Sequence, residues 1–304
     1  MKRALTFLAL VLVVSAAPAQ SRIPTLDDLL TLKSIGGTQI SPNGKSVAYT
    51  VSYGDFKQDA FVTQIWLANS DTGNTFQLTR GDKSSTNPRW SPDGQWLAFL
   101  SNRVEDKNQI FLIDPNGGEA RQLTKSETPI STFSWSEDGR TIAYTATEPT
   151  AQPLKDRKEY YGDYEVVHNG YNYVHIWTLD VAEATKAPMV GKQRTKKTDF
   201  SVDSFSWSPD GSTIAFSATL NPDLIQGTTD DIYLLKLSDD SVKKIVDQPG
   251  PDANPRFSPD GKQIVFSSAM GESFTSRVIP GLRLSESMAA NPNRSLIVLM
   301  RIRD

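Results

Sequence analysis

The sequence predicts an all-β protein built from one repeated unit, and three observations support this. A four-residue phrase of Ser, Pro or Glu, Asp or Asn, and Gly occurs five times, with its glycines at 44, 94, 139, 211 and 261. An apolar run of strand type follows each copy. Four copies are preceded directly by an aromatic residue: Trp90, Trp135, Trp207 and Phe257. Such repetition predicts a partial β-propeller, with four four-stranded antiparallel blades and part of a fifth.

Each copy of the phrase predicts a tight hairpin turn. In Ser91-Pro92-Asp93-Gly94, Pro presets φ, Asp tolerates the turn and Gly supplies a positive φ. The Asp could also be considered as a metal ligand. Because each turn lies a whole repeat away from the next, the pattern favours an architectural role over metal binding.

A second pair of strands completes each repeat. In the second unit it runs from Gln109 to Asp114 and, after the turn Pro115-Asn116-Gly117-Gly118, from Arg121 to Thr124. The same order recurs elsewhere, as Gln64 to Ala68 before Phe76 to Thr79, and as Asp231 to Leu237 before Lys244 to Val246. The interval between the third and fourth phrases is longer than the others, which predicts an insertion there.

The boundaries divide the chain into four regions. Residues 1–19 are predicted as a signal peptide, because Lys2 and Arg3 precede the apolar run Ala4 to Val14, and Ala17-Pro18-Ala19 offers a cleavage position. The alternative is a retained membrane anchor, for which the run is short. Residues 20–33 form a short helical segment with Thr25 as candidate N-cap. Residues 34–272 form the blades, with only strands expected there, and residues 273–304 an aberrant tail.

Composition narrows the chemistry. With Lys+Arg 32 against Asp+Glu 35, the net charge of −3 gives no broad attraction to nucleic acid, and none is expected as a partner. The basic run Lys192 to Lys197 is predicted as a solvated loop rather than a phosphate-binding patch. The chain has no Cys and two His, so no cofactor and no metal site is expected. His168 and His175 are interpreted as surface or pocket polar groups rather than as catalytic bases.

An export signal, a first helix, the repeated turn and the insertion together resemble the N-terminal part of the prolyl oligopeptidase family of serine peptidases, in particular the bacterial acylaminoacyl-peptidase and dipeptidyl-peptidase type. The resemblance covers residues 25 to about 270. Its most specific part is the charged, Tyr-rich stretch from Lys155 to Val167, which leads into His175-Ile176-Trp177. The turn phrase is less specific, because the propeller of the Tol translocation system carries a similar one.

The resemblance implies an exported peptidase of short peptides, in which a propeller admits substrate by size to an α/β-hydrolase domain. Dipeptidyl-peptidase relatives bind the substrate amine with a Glu pair in the insertion. Here Val166 comes after Glu165, so the Glu pair is absent and strict release of dipeptides is not implied. The candidate substrate-binding residues are Glu165, His168, Tyr171 and Tyr173, and the alternative is that they pack at a blade edge.

No catalytic residue is assigned. The nucleophile elbow of the α/β-hydrolases is Gly-x-Ser-x-Gly, and the sequence contains no such motif. This chain is therefore expected to be inactive alone, with a short peptide as the partner of the intact parent. A non-enzymatic periplasmic propeller of the Tol type, which binds a protein partner, is the alternative. Substrate preference and oligomeric state do not follow from the sequence.

The tail departs from the repeat after about Ser273. It contains no copy of the turn phrase, and no strand pair follows in the expected order. The tail can be back-translated with free choice of the third base of each codon and then read in a frame shifted by two bases. That frame allows a strand, a Gly-Gly turn and a closing strand, in the order seen from Ile110 to Thr124. We therefore expect residues 273–304 to be out of frame, and a natural divergent C-terminus is the alternative.

Overall fold

The computed structural model describes residues 23–150, 152–162, 172–196, 200–220, 222, 229–248, 250–269, 282–283 and 296–301. Over these residues the chain forms five antiparallel sheets of four strands each, so the predicted partial propeller is confirmed. Among the same residues, no helix has the length and apolar character needed to cross a membrane. The predicted signal peptide, 1–19, lies outside the described residues.

The five sheets are the blades, numbered in chain order. Blade one contains β1 (Ser34–Ile40), β2 (Ser46–Asp55), β3 (Ala60–Asn69) and β4 (Thr75–Gln77). Blade two contains β5 (Ser85–Trp90), β6 (Leu97–Val104), β7 (Lys107–Ile113) and β8 (Arg121–Gln122). Blade three contains β9 (Ile130–Trp135), β10 (Thr141–Thr147), β11 (Val174–Asp180) and β12 (Lys192–Gln193). Blade four contains β13 (Ser201–Trp207), β14 (Thr213–Thr219), β15 (Asp231–Lys236) and β16 (Ser241–Lys244). Blade five contains β17 (Asp252–Phe257), β18 (Gln263–Ser268), β19 (Leu282–Arg283) and β20 (Leu296–Arg301).

Three helices accompany the strands in the described part of the chain. Helix α1 (Leu26–Leu30) has Thr25 as its N-cap, as predicted, and Asp28 completes a capping box. The expectation that residues 34–272 contain only strands was wrong. Helix α2 (Gln152–Tyr161) forms part of the insertion, and α3 (Val181–Ala184) follows β11 with Asp180 as N-cap. In the charged stretch of the insertion, apolar and polar residues do not alternate as they do in a strand. The stretch forms a helix in which no residue is buried.

The blades share one turn geometry. In each copy the Ser hydroxyl donates to the Asp or Asn two residues on, over 2.5 to 2.8 Å. The last residue is a Gly with a φ of 69° to 71°, which only Gly adopts without strain. The turns therefore close the hairpin between the first and second strands of each blade. They lie together at one end of the propeller, called here the turn face, and the insertion leaves from the opposite end, the insertion face.

The repeated aromatic residue joins neighbouring blades. The indole N–H of Trp90 donates to Gln39 O at 3.1 Å, that of Trp135 to Arg89 O at 3.3 Å, and that of Trp207 to Ser134 O at 3.3 Å. Each acceptor lies on the first strand of the preceding blade. First strands contact one another in the pairs β1 with β5, β5 with β9, and β13 with β17. They therefore surround the propeller axis, and the fourth strands lie outermost.

Apolar side chains fill the gaps between blades. One cluster joins Leu100, Ile110 and Leu123 of blade two to Phe133 and Tyr144 of blade three, and all five are at most 3% exposed. Blades one and two share a similar cluster. Since each blade buries apolar side chains against a neighbour, the packing energy of the fold lies between repeats rather than within them.

Two segments differ from the sequence expectations. In blade five the strand order is β17-β18-β20-β19, so the two strands from the tail are joined in the reverse of the order seen elsewhere. The prediction of a solvated loop from Lys192 was wrong at its start, because Lys192 and Gln193 form β12. Arg194 is 18% exposed at its side chain and bonds Asp240 at 2.8 Å. Lys192 and Arg194 both pair with Asp240 of blade four, which the local composition does not indicate.

Candidate functional site

Three of the four predicted substrate-binding residues, Glu165, His168 and Tyr171, lie outside the described residues. Tyr173 is described, and it is half-buried at the end of the insertion. Its carbonyl accepts a hydrogen bond from Glu148 N at 2.9 Å. The two residues therefore close the neck of the insertion, where β10 ends and β11 is about to begin.

A buried polar cluster lies at this neck. His175 is fully buried and not at the surface, and its Nε2 is 3.0 Å from Glu148 Oε1. Its Nδ1 is 3.1 Å from the Thr195 hydroxyl, which also accepts from Ile176 N at 3.0 Å. With the tautomer that continues the pattern of the other blades, the Thr195 hydroxyl donates to Nδ1, and Nε2 lies beside the Glu148 carboxylate without the geometry of a hydrogen bond. Burial lowers the pKa of His175, although the Glu148 carboxylate opposes this shift, so the ring is neutral.

The cluster is a variant of a repeated arrangement. Gln64 and Gln109 occupy the position of His175 in blades one and two. Their Oε1 atoms each accept from a Thr hydroxyl at 2.8 Å, and that Thr accepts from the next backbone N–H of the strand. A neutral imidazole offers one acceptor, as the Gln oxygen does, and one N–H where the Gln amide has two. His175 therefore replaces Gln as the acceptor from Thr, and its second nitrogen faces the Glu148 side chain rather than backbone carbonyls.

In blade four, an ion pair replaces the Gln–Thr arrangement. Asp231 stands at the equivalent position and pairs with Lys244 at 2.7 Å. Next to it, burial and the nearby Asp203, Asp231 and Asp252 raise the pKa of Asp230 to about 6. Asp230 Oδ1 is buried and has no hydrogen-bond partner among the described residues. This acidic group lies on the insertion face between blades four and five. Among the described residues, no cluster of His, Asp or Glu has a geometry that would hold a metal ion.

Five equivalent residues, each two positions before the Ser of its turn, lie on the first strands near the turn face. We call them the inner ring: Gln39, Arg89, Ser134, Ser206 and Arg256. Two of them follow an Asn-Pro pair whose Asn has a positive φ, 51° at Asn87 and 56° at Asn254. At both places the pairing with the second strand shifts register, which marks a β-bulge that redirects the following side chain.

A cleft of about 530 Å³ also opens on the turn face between blades two and three. Its walls include Trp96, Arg121 and Trp135, together with Asp138 from a turn phrase. Arg121 lies over the Trp96 ring at 5.9 Å from its centroid. The cleft is formed by side chains that the repeat supplies for its own packing.

Sequence reasoning missed both the His175 cluster and the inner-ring arginines. Two signals were present. Gln64, Gln109, His175 and Asp231 precede Ile in four equivalent strands, so their alignment would have shown one polar position. The stretch Asn-Pro-Arg-aromatic occurs twice, at 87–90 and 254–257. Glu148 carried no such signal, because only the fold brings it to His175.

The fold and the repeated turn define the class of protein: a β-propeller, and residues 33–173 match the family model described as PD40, TolB beta propeller domain. The resemblance to peptidase propellers is confirmed. The chain is 31% identical to the uncharacterized peptidase YuxL of Bacillus subtilis, over 83% of this chain and 32% of the relative. It is 29% identical to dipeptidyl-peptidase 5 of Porphyromonas endodontalis, over 86% of this chain and 40% of the relative.

A solved structure is also similar. The acylaminoacyl peptidase of Pyrococcus horikoshii matches with a TM-score of 0.58 and 19% identity, covering 79% of this chain and 36% of that one. At this identity the likeness concerns the fold alone. The chain spans between about a third and two fifths of the length of the curated relatives it matches, and the matched part is the propeller.

Proposed function

We propose that this chain is the substrate-admitting propeller of an exported serine peptidase that acts on short peptides. The observation that carries the proposal is the similarity to two proteins named as peptidases over more than four fifths of this chain. The propeller geometry supports it. First strands surround the propeller axis, and the inner-ring residues on these strands are polar, which suits the entry of an extended peptide.

The chemistry of hydrolysis is assigned to another part of the proposed enzyme. Peptide-bond cleavage needs an activated nucleophile, a base and oxyanion donors. This sequence contains no nucleophile elbow, and its one described His is buried as a neutral structural group. We expect no turnover of chromogenic peptides and no labelling by a fluorophosphonate probe. Labelling of a serine in the purified chain would contradict this assignment.

The decisive experiment is to read the genomic DNA through the codons for Gly261 to Asp304 and onward. We expect the blade pattern to resume in another frame, followed about 250 to 350 residues later by Gly-x-Ser-x-Gly, with Asp and His after it. The protein expressed from that frame should label at one serine and cleave short peptides but not folded proteins. An uninterrupted frame that ends at Asp304, with no hydrolase sequence downstream, would refute both the frameshift and the peptidase parent.

Export is part of the proposal. A fusion of residues 1–30 to alkaline phosphatase, an enzyme that folds only outside the bacterial cytoplasm, should be active, and N-terminal sequencing should find a new terminus near Gln20. A fusion that starts at Arg22 is the matched control and should be inactive. Equal activity of the two fusions would contradict export by this segment.

A binding propeller without enzymatic activity is the second candidate. The name of the matched family model, which refers to TolB, favours it. The same DNA reading separates the two, because a binding propeller needs no downstream hydrolase motif.

A further inference from the structure

Two arginines occupy the same inner-ring position on blades two and five. Arg89 belongs to β5 of blade two and Arg256 to β17 of blade five, and two blades separate them along the arc. Burial, and then the positive charge of Arg256, lower the pKa of Arg89. Both residues stand at the same position of an innermost strand, directly after the same Asn-Pro bulge.

Neither arginine is neutralised by the described part of the protein. Arg89 Nη1 donates to Pro88 O at 3.2 Å and Arg256 Nη1 to Phe205 O at 3.3 Å. No carboxylate among the described residues pairs with either group, although Arg194 and Lys244 each have one. Arg89 is a half-buried cation that has another cation and no carboxylate beside it among the described residues, which is unfavourable without an anion.

A third donor lies between them in the ring. Ser206 is 7% exposed, and its hydroxyl has no hydrogen-bond partner among the described residues. Buried hydroxyls are normally paired, so an unpaired one indicates a missing partner. The Arg256 guanidinium bonds the carbonyl of Phe205, the residue before Ser206, so the two donors are neighbours.

We propose that Arg89, Arg256 and Ser206 form a binding site for the C-terminal carboxylate of a short peptide. Two guanidinium groups provide the planar donor pairs that suit a carboxylate, and the hydroxyl adds one further donor. This inference rests on the proposed entry of peptides into the propeller.

The test measures binding of Ala-Ala-Phe and of its C-terminal amide to the full chain by calorimetry. We expect the free acid to bind at least about tenfold more tightly than the amide, and added salt to weaken only the acid. Arg89→Gln and Arg256→Gln should each weaken the acid by about tenfold and leave the amide unchanged. Arg89→Lys should retain part of the preference. Thermal melts of every variant check the fold. Because Arg256 is exposed, its substitution leaves the buried packing unchanged.

Arg140→Gln is the matched control, because Arg140 is 85% exposed and pairs only loosely with Asp138, at 4.0 Å. Equal binding of acid and amide would overturn the carboxylate site and leave peptide entry intact. Tighter binding of inorganic phosphate than of the acid would overturn it as well. Absence of binding by both peptides would overturn this inference and count also against the proposed function.

Discussion

His175 shows how one residue is exchanged within a repeat without loss of the hydrogen-bond pattern. Gln64 and Gln109 present an amide oxygen to a Thr hydroxyl, and His175 presents Nδ1 to Thr195 in the same way. The exchange adds a link that the other two blades lack. Nε2 lies 3.0 Å from Glu148 Oε1 at the neck of the insertion, so the imidazole connects the insertion to the blade.

The first prediction concerns this exchange. His175→Gln should change the free energy of unfolding by less than about 1 kcal/mol, because the Gln oxygen accepts from the Thr hydroxyl as it does in blades one and two. His175→Ala should cost about 2 to 3 kcal/mol, because it leaves the Thr195 hydroxyl unpaired and a cavity in the core. Urea titrations measure both. Equal losses in the two variants would contradict the assigned pattern.

The pH dependence adds a second readout for the same variants. Since burial lowers the pKa of His175 below that of the unfolded chain, the unfolded state binds the extra proton. The stability of the wild type should therefore fall as pH drops below about 6.5, and this part of the fall should be absent in His175→Gln. Parallel pH curves of the two proteins between pH 7 and 5 would contradict a neutral, buried imidazole.

The second prediction concerns Asp230. Its pKa is about 6 in the folded protein and lies near 3.8 when the group is unperturbed. The folded state thus binds the proton more tightly than the unfolded state. The free energy of unfolding therefore falls as the pH rises from about 4 to 6 and Asp230 ionises. Asp230→Asn should raise the free energy of unfolding at pH 7 by about 1 kcal/mol, after allowance for partial solvent exposure. Asp71→Asn, in an exposed turn, is the control and should have no effect. A destabilised Asp230→Asn would contradict the prediction.

At the scale of elements, the turn phrase connects blades as well as strands. A Cβ placed on Gly94 would lie 3.5 Å from Pro42 Cδ, and one on Gly139 would lie 3.4 Å from Pro92 Cδ. Each turn glycine is thus beside the proline of the preceding turn. Blade three carries Glu137 in place of the proline, and correspondingly no atom lies within 4 Å of that point at Gly211.

The third prediction follows from this gap. Glu137→Pro should raise the free energy of unfolding by about 0.5 to 1 kcal/mol, because the other four turns accept Pro and the unfolded chain loses freedom. Glu137 N donates no hydrogen bond to any described residue, so the substitution removes none there. Pro92→Ala should lower stability by a similar amount, since the loss of rigidity is joined by the loss of the contact beside Gly139. The shift in melting temperature measures both, and a destabilised Glu137→Pro would contradict the equivalence of the turns.

At the scale of the whole molecule, blade one exposes apolar side chains on the face turned away from blade two. Ile35 and Ile40 of β1 lie on that face and are 70% and 69% exposed. Ile40 stands where Trp90, Trp135 and Trp207 cover the preceding blade. No described residue covers Ile40. Blades gain stability from both neighbours, and a face without a neighbour tends to associate.

The fourth prediction is that residues 20–304 self-associate or unfold in part when expressed alone. Ile35→Thr combined with Ile40→Thr should lower the associated fraction, measured by size-exclusion chromatography with light scattering over a tenfold range of concentration. Leu154→Thr, which removes a partly exposed Leu from α2, is the control and should leave the fraction unchanged. A monodisperse wild-type monomer with one sharp cooperative melt would contradict this prediction and favour a self-sufficient binding propeller.

The sequence by itself determined the blades and their turns, because strands and tight turns follow from local patterns of apolar residues, Pro, Asp and Gly. It did not indicate α2, whose residues lack an apolar face. Only the tertiary structure brought Glu148 to His175 and Arg89 towards Arg256. These pairs depend on how the insertion closes and how the blades curve about the axis, and that curvature is set by packing between repeats. A local pattern carries no record of such distances, so the repeat was predictable and its polar clusters were not.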